Sequence, residues 1–229
     1  MARWVAAQSY AVEVLLINNN SRDRTRAIAL AGAAEHAFLR VLDEPRQGKG
    51  AAVRTGALAA RGDYVFVADC DFSMPIEEIA KFLPPAIPDY DVAIGSREAP
   101  GARRFDEPGY RHVMGRVFNL LVKIIAVPGL QDTQCGFKCF RQAAAQELFR
   151  AQTDDGWAFD VELLFVARRR GMVLREVPID WYYRPNSRVS PLKDAFRMTL
   201  EVLGIRWKGI TGRYGPASST APSRPGGSR

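Results

Sequence analysis

Short runs of aliphatic and β-branched residues alternate along this chain with stretches in which apolar positions recur every three or four residues. Val12–Ile17, Phe38–Leu42, Tyr64–Ala68, Val92–Gly95 and Val173–Val177 have the length and branching of strands. Asp23–Ala33, Gly50–Ala60, Pro75–Leu83, Arg111–Ala126, Gln142–Phe149, Ala158–Arg170 and Pro191–Lys208 carry the helical period. This succession predicts an α/β fold with a mostly parallel central sheet and helices over both faces. Such sheets bind ligands beyond the carboxyl ends of their strands, which here are the turns Asn18–Ser21 and Asp69–Ser73. The rhythm breaks after Arg97, where Glu98–Gly109 is rich in charge, Gly and Pro and reads as a mobile, lid-like loop. Gly215–Arg229 lacks any large apolar residue and reads as disordered. One domain over residues 1–212 and a tail over 213–229 are therefore expected.

Composition narrows this picture without redirecting it. A length of 229 residues with 47% hydrophobic content supports one substantial core and excludes a fibre, a disulfide miniprotein and a wholly disordered chain. The net charge of +7 favours anionic partners such as nucleotides, phospholipid surfaces or nucleic acid. Nucleic acid is the weakest of these, because no diagnostic binding motif accompanies the charge. Cys70, Cys135 and Cys139 form neither a paired framework nor a metal-finger spacing, so a reduced compartment is expected. Met1–Ala11 lacks the features of a signal peptide and no window has the length of a membrane span, so neither export nor integral insertion is expected.

Several polar clusters fall at element ends. Asp69-Cys70-Asp71 follows the strand Tyr64–Ala68, and two carboxylates one residue apart suit a hard divalent cation, although they equally suit a capped turn before the Pro75 helix. Gln47-Gly48-Lys49-Gly50 permits a close approach to the amides of the following helix, with Lys49 available to a phosphate, but it lacks the Walker spacing. Asn18-Asn19-Asn20-Ser21 offers amides and a hydroxyl to a nucleoside, or to its own turn. Asp132–Lys138 and Gly156–Glu162 combine carboxylates and amides with aromatics, a mixture that binds sugars, although Trp157 and Phe159 also suit a core. The Arg111–Ala126 helix sets His112, Arg116, Asn119 and Lys123 beside a broad apolar surface that suits either packing or a membrane interface. Arg206, Lys208 and Arg213 lie among Ile205, Trp207 and Ile210 in an acid-free stretch suited to anionic headgroups or to a solvated helix end.

Taken in order, the Asn18–Thr25 turn, Gly48-Lys49-Gly50, Asp69-Cys70-Asp71, Gly95-Ser96-Arg97, Asp132-Thr133-Gln134-Cys135-Gly136-Phe137-Lys138 and Trp157-Ala158-Phe159-Asp160-Val161-Glu162 resemble glycosyltransferase family 2, and within it the dolichyl-phosphate β-glucosyltransferases. The resemblance spans roughly residues 12–212. It implies a GT-A nucleotide-diphospho-sugar transferase fold in which Asp69 and Asp71 position Mg²⁺ or Mn²⁺ at the donor diphosphate. By the same resemblance Asn19, Ser21, Lys49, Asp69 and Trp157 bind the donor, while Asp71, Asp132, Gln134 and Asp160 form the active centre. Ser96, Arg97, Arg116 and Arg188 receive the acceptor phosphate. The implied reaction is inverting transfer of glucose from UDP-glucose to dolichyl or another polyprenyl phosphate, by a protein peripheral at the cytoplasmic membrane face and drawn to an anionic membrane surface. Transfer of mannose or another hexose, and nucleotide-sugar or membrane binding without catalysis, are the alternatives.

The sequence departs from this pattern in two places. Asn18-Asn19-Asn20 is less acidic than the corresponding turn of the wider family. The family also places a further strand and a Pro-Ala-Tyr-Asn-Glu-like nucleotide loop ahead of the helix leading to Val12–Ile17, and only Met1–Ala11 stands there. An N-terminally incomplete domain is the corresponding expectation.

Overall fold

The computed structural model describes residues 1–71, 73–184 and 191–215. After a short helix α1 (Ala2–Ala6) come β1 (Val14–Asn18), α2 (Thr25–Glu35), β2 (Leu39–Asp43), α3 (Lys49–Ala59) and β3 (Tyr64–Ala68). β4 (Val92–Ser96), β5 (Arg103–Phe105), α4 (Gly109–Ile125), β6 (Phe137–Arg141) and α5 (Gln142–Ala151) follow. α6 (Phe159–Arg169), β7 (Leu174–Pro178), β8 (Asp180–Tyr182) and α7 (Pro191–Ile210) complete the described chain. The α/β class and the parallel pairings agree with the sequence pattern. The expected Pro75–Leu83 helix is instead a 3₁₀ segment, Ile76–Phe82.

Among the described residues the strands form three sheets rather than one. β1 and β2 pair in parallel, from Val14 opposite Leu39 to Asn18 opposite Asp43. The main sheet has the order β3-β6-β4-β7, with β6 antiparallel to both neighbours and β7 parallel to β4. Helix α3 joins the two sheets. Gly56 lies against Ile17 of β1, so closely that an added Cβ would stand 3.1 Å from it, while the next residue, Ala57, shares a core cluster with Val65 of β3.

Two apolar clusters flank the main sheet. One joins Phe140 to Leu148 and Phe149 of α5, Leu163 and Leu164 of α6 and Val202 and Ile205 of α7. Its counterpart packs Phe82, Phe137, Cys139 and Ile179, with Phe66, Phe82 and Phe137 meeting edge to face. Each fully buried large side chain contributes about 1.5–3 kcal/mol through removal of apolar surface from water. Every residue of α6 from Phe159 to Ala167 is buried, including Asp160 and Glu162. Burial requires those two acids to find partners inside the protein. Glu162 accepts from the amides of Thr153 (2.9 Å) and Asp154 (2.8 Å) and from the Tyr214 hydroxyl (2.8 Å). Tyr214 is itself in the core, which carries the packed structure past the expected end at residue 212.

The segment expected to be a mobile lid is fastened down. β5 pairs with β8, Phe105 stacks on Tyr182 with ring centroids 4.5 Å apart, and Arg103 Nε donates to Asp180 Oδ1 at 2.8 Å. Arg104 pairs with both Glu98 and Glu107. Local composition could not show a strand whose partner lies more than seventy residues away, as Asp180 does from Arg103. Among the described residues no helix is long and apolar enough to cross a membrane.

Candidate active site

Asp69 sits one residue beyond the end of β3, at the rim of the main sheet. Its carboxylate faces Gly136 so closely that a Cβ there would come within 2.0 Å of Oδ2. Only a residue without a side chain leaves Asp69 this position, a constraint of close approach. Lys49 reaches across from the start of α3 and pairs with Asp69 Oδ1 at 2.8 Å, with its ammonium 5.5 Å from the centre of the Trp157 ring. Burial alone would lower the Lys49 pKa, but the carboxylates of Asp160 and Asp69 outweigh it and hold the group above the ordinary lysine value. Trp157 is 47% exposed, so it is a rim residue; Phe159, two positions on, takes the core place.

Beneath this corner lies a buried ion pair. Lys138 on β6 is 1% exposed, and its ammonium stands 2.7 Å from Asp160 Oδ1 at the start of α6 while donating to the Cys135 carbonyl. The pair fixes the Asp160 carboxylate toward Lys138, and stripping either partner would leave a charge without compensation. Burial pushes the Cys135 and Cys139 thiols up to about 12, and burial with the charges of Asp69 and Asp71 raises Cys70, so none of the three is an activated nucleophile at neutral pH.

The glycine loop behaves differently from its sequence expectation. The Gly50 amide donates to the Gly156 carbonyl (3.0 Å) and the Ala51 amide to that of Asp155 (3.2 Å), so these first amides of α3 are not open to a phosphate. Gly48, at φ 143°, and Gly50 let the loop press on this backbone: a Cβ would fall 2.0 Å from the Asp155 oxygen and 2.6 Å from that of Asp154, respectively. The loop therefore carries Lys49 and Trp157 together rather than cradling an anion with its backbone. Asn19 is its clasp: Oδ1 accepts from the Gly48 amide at 3.0 Å, and Nδ2 donates to the carbonyls of Glu44 (2.9 Å) and Arg46 (2.6 Å). Ser21 is exposed on the same turn. Asp71 caps its own turn, its Oδ1 accepting from the Ser73 amide at 2.9 Å.

A second polar centre lies at the end of β4. Arg97 grips Asp132 through Nε at 2.6 Å, Nη2 at 2.9 Å and its own amide at 3.1 Å. Burial would raise the Asp132 carboxyl, but Arg97 outweighs it and holds the group below the usual range. Glu176 accepts from the amides of Gln131 and Asp132 (2.8 and 2.9 Å), so the turn is held from β7 as well. Ser96 is fully buried, its hydroxyl accepting from the Ala99 amide at 3.0 Å. Gln134 contacts the Met198 sulfur at 3.9 Å. Arg97 and Ser96 are thus engaged within the protein. Arg116 instead is exposed, in a groove of about 220 Å³ that it lines with Lys123, Asn119, Leu120, Gln131 and Glu98. Arg188 and the Asn186–Ser190 stretch lie outside the described residues.

Sequence reasoning gathered Asp69, Lys49, Trp157 and Asp160 into one site, and the structure places them around one corner. It missed the roles of Gly136, Lys138 and Glu176. Gly136 and Lys138 stand inside a motif already picked out, but their partners, Asp69 and Asp160, are remote in sequence. Among the described residues no three His, Cys, Asp or Glu side chains cluster as a metal cage. Asp69 and Asp71 still fit a cation that draws its other ligands from a diphosphate and water: they are hard oxygen donors at a strand end, with the Asp69 carboxylate seated in the space that Gly136 leaves and its Oδ1 already facing the Lys49 ammonium.

Residues 3–149 match the family described as glycosyl transferase family 2. A dolichyl-phosphate beta-glucosyltransferase of Trichomonas vaginalis is 34% identical over 200 residues, covering 84% of this chain and 59% of that protein. One from Drosophila melanogaster is 33% identical over 224 residues, covering 92% of this chain and 68% of the relative. The chain thus spans 59% to 68% of the length of these two relatives. Glucosyl-3-phosphoglycerate synthase of Mycobacterium tuberculosis, solved with Mn²⁺, uridine diphosphate and glucosyl-3-phosphoglycerate, superposes with a TM-score of 0.58 at 17% identity, over 91% of this chain and 71% of that one. The superposition establishes a shared fold, and with the sequence match the chain belongs to glycosyl transferase family 2.

Proposed function

We propose that this chain transfers glucose from UDP-glucose to dolichyl or another polyprenyl phosphate, with inversion at the anomeric carbon, while peripheral at the cytoplasmic membrane face. The observation that carries the reading is the corner where Lys49, Asp69, Gly136 and Trp157 meet. It combines a cationic side chain, a recessed carboxylate and a half-exposed aromatic face within reach of one another, which is what a nucleotide sugar requires: charge for its diphosphate and an apolar plane for its sugar ring. The lipid-phosphate acceptor and the glucose are supported by the names of the relatives, and Arg116 and Lys123 in the groove along α4 provide charge for an acceptor phosphate.

The residues divide the work between holding and charge compensation. Asp69 and Asp71 would hold Mg²⁺ or Mn²⁺, which when bound offsets the charge of the diphosphate and of departing UDP. Lys49 adds a second positive charge on the same side. The phosphate nucleophile is ionised near neutral pH and needs no proton removed, so positioning and leaving-group stabilisation supply the rate. Asp160 is committed to Lys138, which suits it to orienting the sugar rather than to acting as a base. Arg97, Asp132 and Glu176 brace the turn at the far end of the centre.

The test is a panel of UDP-glucose, other UDP-hexoses and GDP-mannose against polyprenyl phosphate, with Mg²⁺, Mn²⁺ or chelator. Transfer from UDP-glucose that chelator abolishes supports the reading. Transfer from GDP-mannose alone would replace the donor, and no transfer by folded protein with any pair would overturn the function.

A further inference from the structure

Lys49 and Trp157 meet where two loops are bonded together, and the one that carries Trp157 has no regular structure of its own. It joins α5 to α6, and its carbonyls at Asp155 and Gly156 take the first amides of α3. Glu162 holds this stretch from the first turn of α6. Its fully buried side chain accepts four hydrogen bonds, two at each oxygen, which is all that a carboxylate can take. Oε2 receives the amides of Thr153 (2.9 Å) and Asp154 (2.8 Å), and Oε1 the hydroxyls of Thr153 (2.5 Å) and Tyr214 (2.8 Å). Asp154 passes the constraint on, its Oδ1 accepting at 2.7 Å from the amide of Gly156, the neighbour of Trp157. Gln152 ties the same stretch to the glycine loop, its Nε2 donating to the carbonyls of Gly50 (3.0 Å) and Asp154 (2.6 Å).

The fourth donor comes from beyond the last helix. α7 ends at Ile210, and Gly212, at φ 76°, lets the chain turn so that Tyr214 returns to α6. Its ring meets Phe165 edge to face with centroids 6.1 Å apart, and its carbonyl accepts from Arg170 Nη2 at 3.2 Å. Burial first, and then the Glu162 carboxylate, raise the Tyr214 phenol above its ordinary value, so the hydroxyl keeps its proton and donates. Glu162 stands among Val161, Leu163 and Leu164 of the packed core, where an aliphatic side chain would serve stability at least as well as a buried charge. What the carboxylate supplies that an aliphatic side chain could not is one fixed point for four donors, three of which belong to Thr153 and Asp154.

We infer that Glu162 and Tyr214 are positioning residues for donor binding: the buried carboxylate, oriented by the tyrosine hydroxyl, sets the 153–157 segment and thereby the place of Trp157 beside Lys49. Neither residue belongs to the corner itself, and both act through the Trp157 ring. The inference rests on the proposed reading of that corner as a nucleotide-sugar site and deepens it by naming what fixes the ring that faces the sugar.

The experiment is calorimetric titration of the full chain, in Mn²⁺, with UDP-glucose or GDP-mannose, whichever the wild type binds more tightly, and with the matching nucleoside diphosphate alone. Tyr214→Phe keeps the ring and removes one donor, and Glu162→Gln keeps the shape but replaces an accepting oxygen with an amide nitrogen that cannot accept. Circular dichroism checks that each variant is folded. Glu162→Gln is expected to weaken the nucleotide sugar at least about tenfold and Tyr214→Phe about threefold, with the nucleoside diphosphate changed by less than about twofold, because the diphosphate rests on Lys49 and Asp69 rather than on the ring. In a Trp157→Ala background Glu162→Gln is expected to add no further loss. Unchanged nucleotide-sugar affinity in either folded variant, an equal loss with and without the sugar, or additive losses in the Trp157→Ala background would each overturn the inference. If Glu162→Gln does not fold, Tyr214→Phe carries the same three readings. A wild type that binds the nucleotide sugar but transfers nothing to polyprenyl phosphate refutes the proposed function alone, and one that binds no nucleotide sugar refutes both.

Discussion

The β1–β2 sheet and the main sheet hold the two sides of the candidate centre by different forces. β4 and the first four residues of β6 are buried throughout, and both apolar clusters are built on the main sheet. Four of the five residues of β1 are only half-buried, and neither β1 nor β2 contributes a residue to either cluster. Polar links take over there: Asn19 to Gly48, Asn18 Nδ2 to Asp43 at 2.8 Å, and Glu13 to both Arg40 and Arg61. Asp69 and the Lys138–Asp160 pair therefore stand on the packed main sheet, while Asn19 sits on a side whose geometry rests on hydrogen bonds, and Lys49 opens α3, which is anchored in the main core through Val53 and Ala57. The packed side fixes the carboxylates, and the polar side positions the turn expected to meet the nucleotide.

Substitutions that remove apolar volume should separate the halves most strongly. Phe140→Ala is expected to cost about 3–5 kcal/mol, whereas Leu16→Ala, at a half-exposed site, should cost about 1 kcal/mol. Guanidinium denaturation checks both, and similar losses would erase the distinction. Next in size, Lys138→Met is expected to lose about 3 kcal/mol by stranding Asp160, and Lys138→Met/Asp160→Asn to recover part of it. A double variant no more stable than the single one would show that the pair is not coupled as its geometry implies.

These contrasts also mark what the sequence could and could not disclose. The YVFVA run and its following Asp-x-Asp were visible because strand period and turn chemistry are local. β6 was not: Lys138 interrupts an apolar run, and the acid that makes its burial tolerable, Asp160, lies on another element. Asn19 suggested a local turn because Asx turns are the commonest use of such a residue, yet its partners are Glu44, Arg46 and Gly48. The division of the strands into separate sheets depends on which edges meet, and hydrophobic periodicity carries no such information.

A smaller effect concerns acid. The Arg46 side chain first, then the Thr55 hydroxyl, hold the Glu44 carboxyl down to about 2 from an ordinary 4.5. Because the folded value is the lower one, this contribution is full above about pH 4.5 and drains away as pH falls toward 2. Hydrogen exchange across that window should open β2 and the start of α3 ahead of β4, and Glu44→Gln should flatten the pH dependence there. Simultaneous opening of both regions would contradict the proposed division of forces.

The most direct test of the central claim, that the Asp69–Lys49 corner is where the donor diphosphate is held, is Mn²⁺-dependent transfer of labelled glucose from UDP-glucose to polyprenyl phosphate by the wild type, Asp71→Ala and Lys49→Ala, with UDP affinity measured in parallel. The account predicts that Asp71→Ala loses at least about a hundredfold in cation-dependent turnover and that Lys49→Ala weakens UDP binding, both while remaining folded. Undiminished transfer by Asp71→Ala together with unchanged UDP affinity in Lys49→Ala would contradict it.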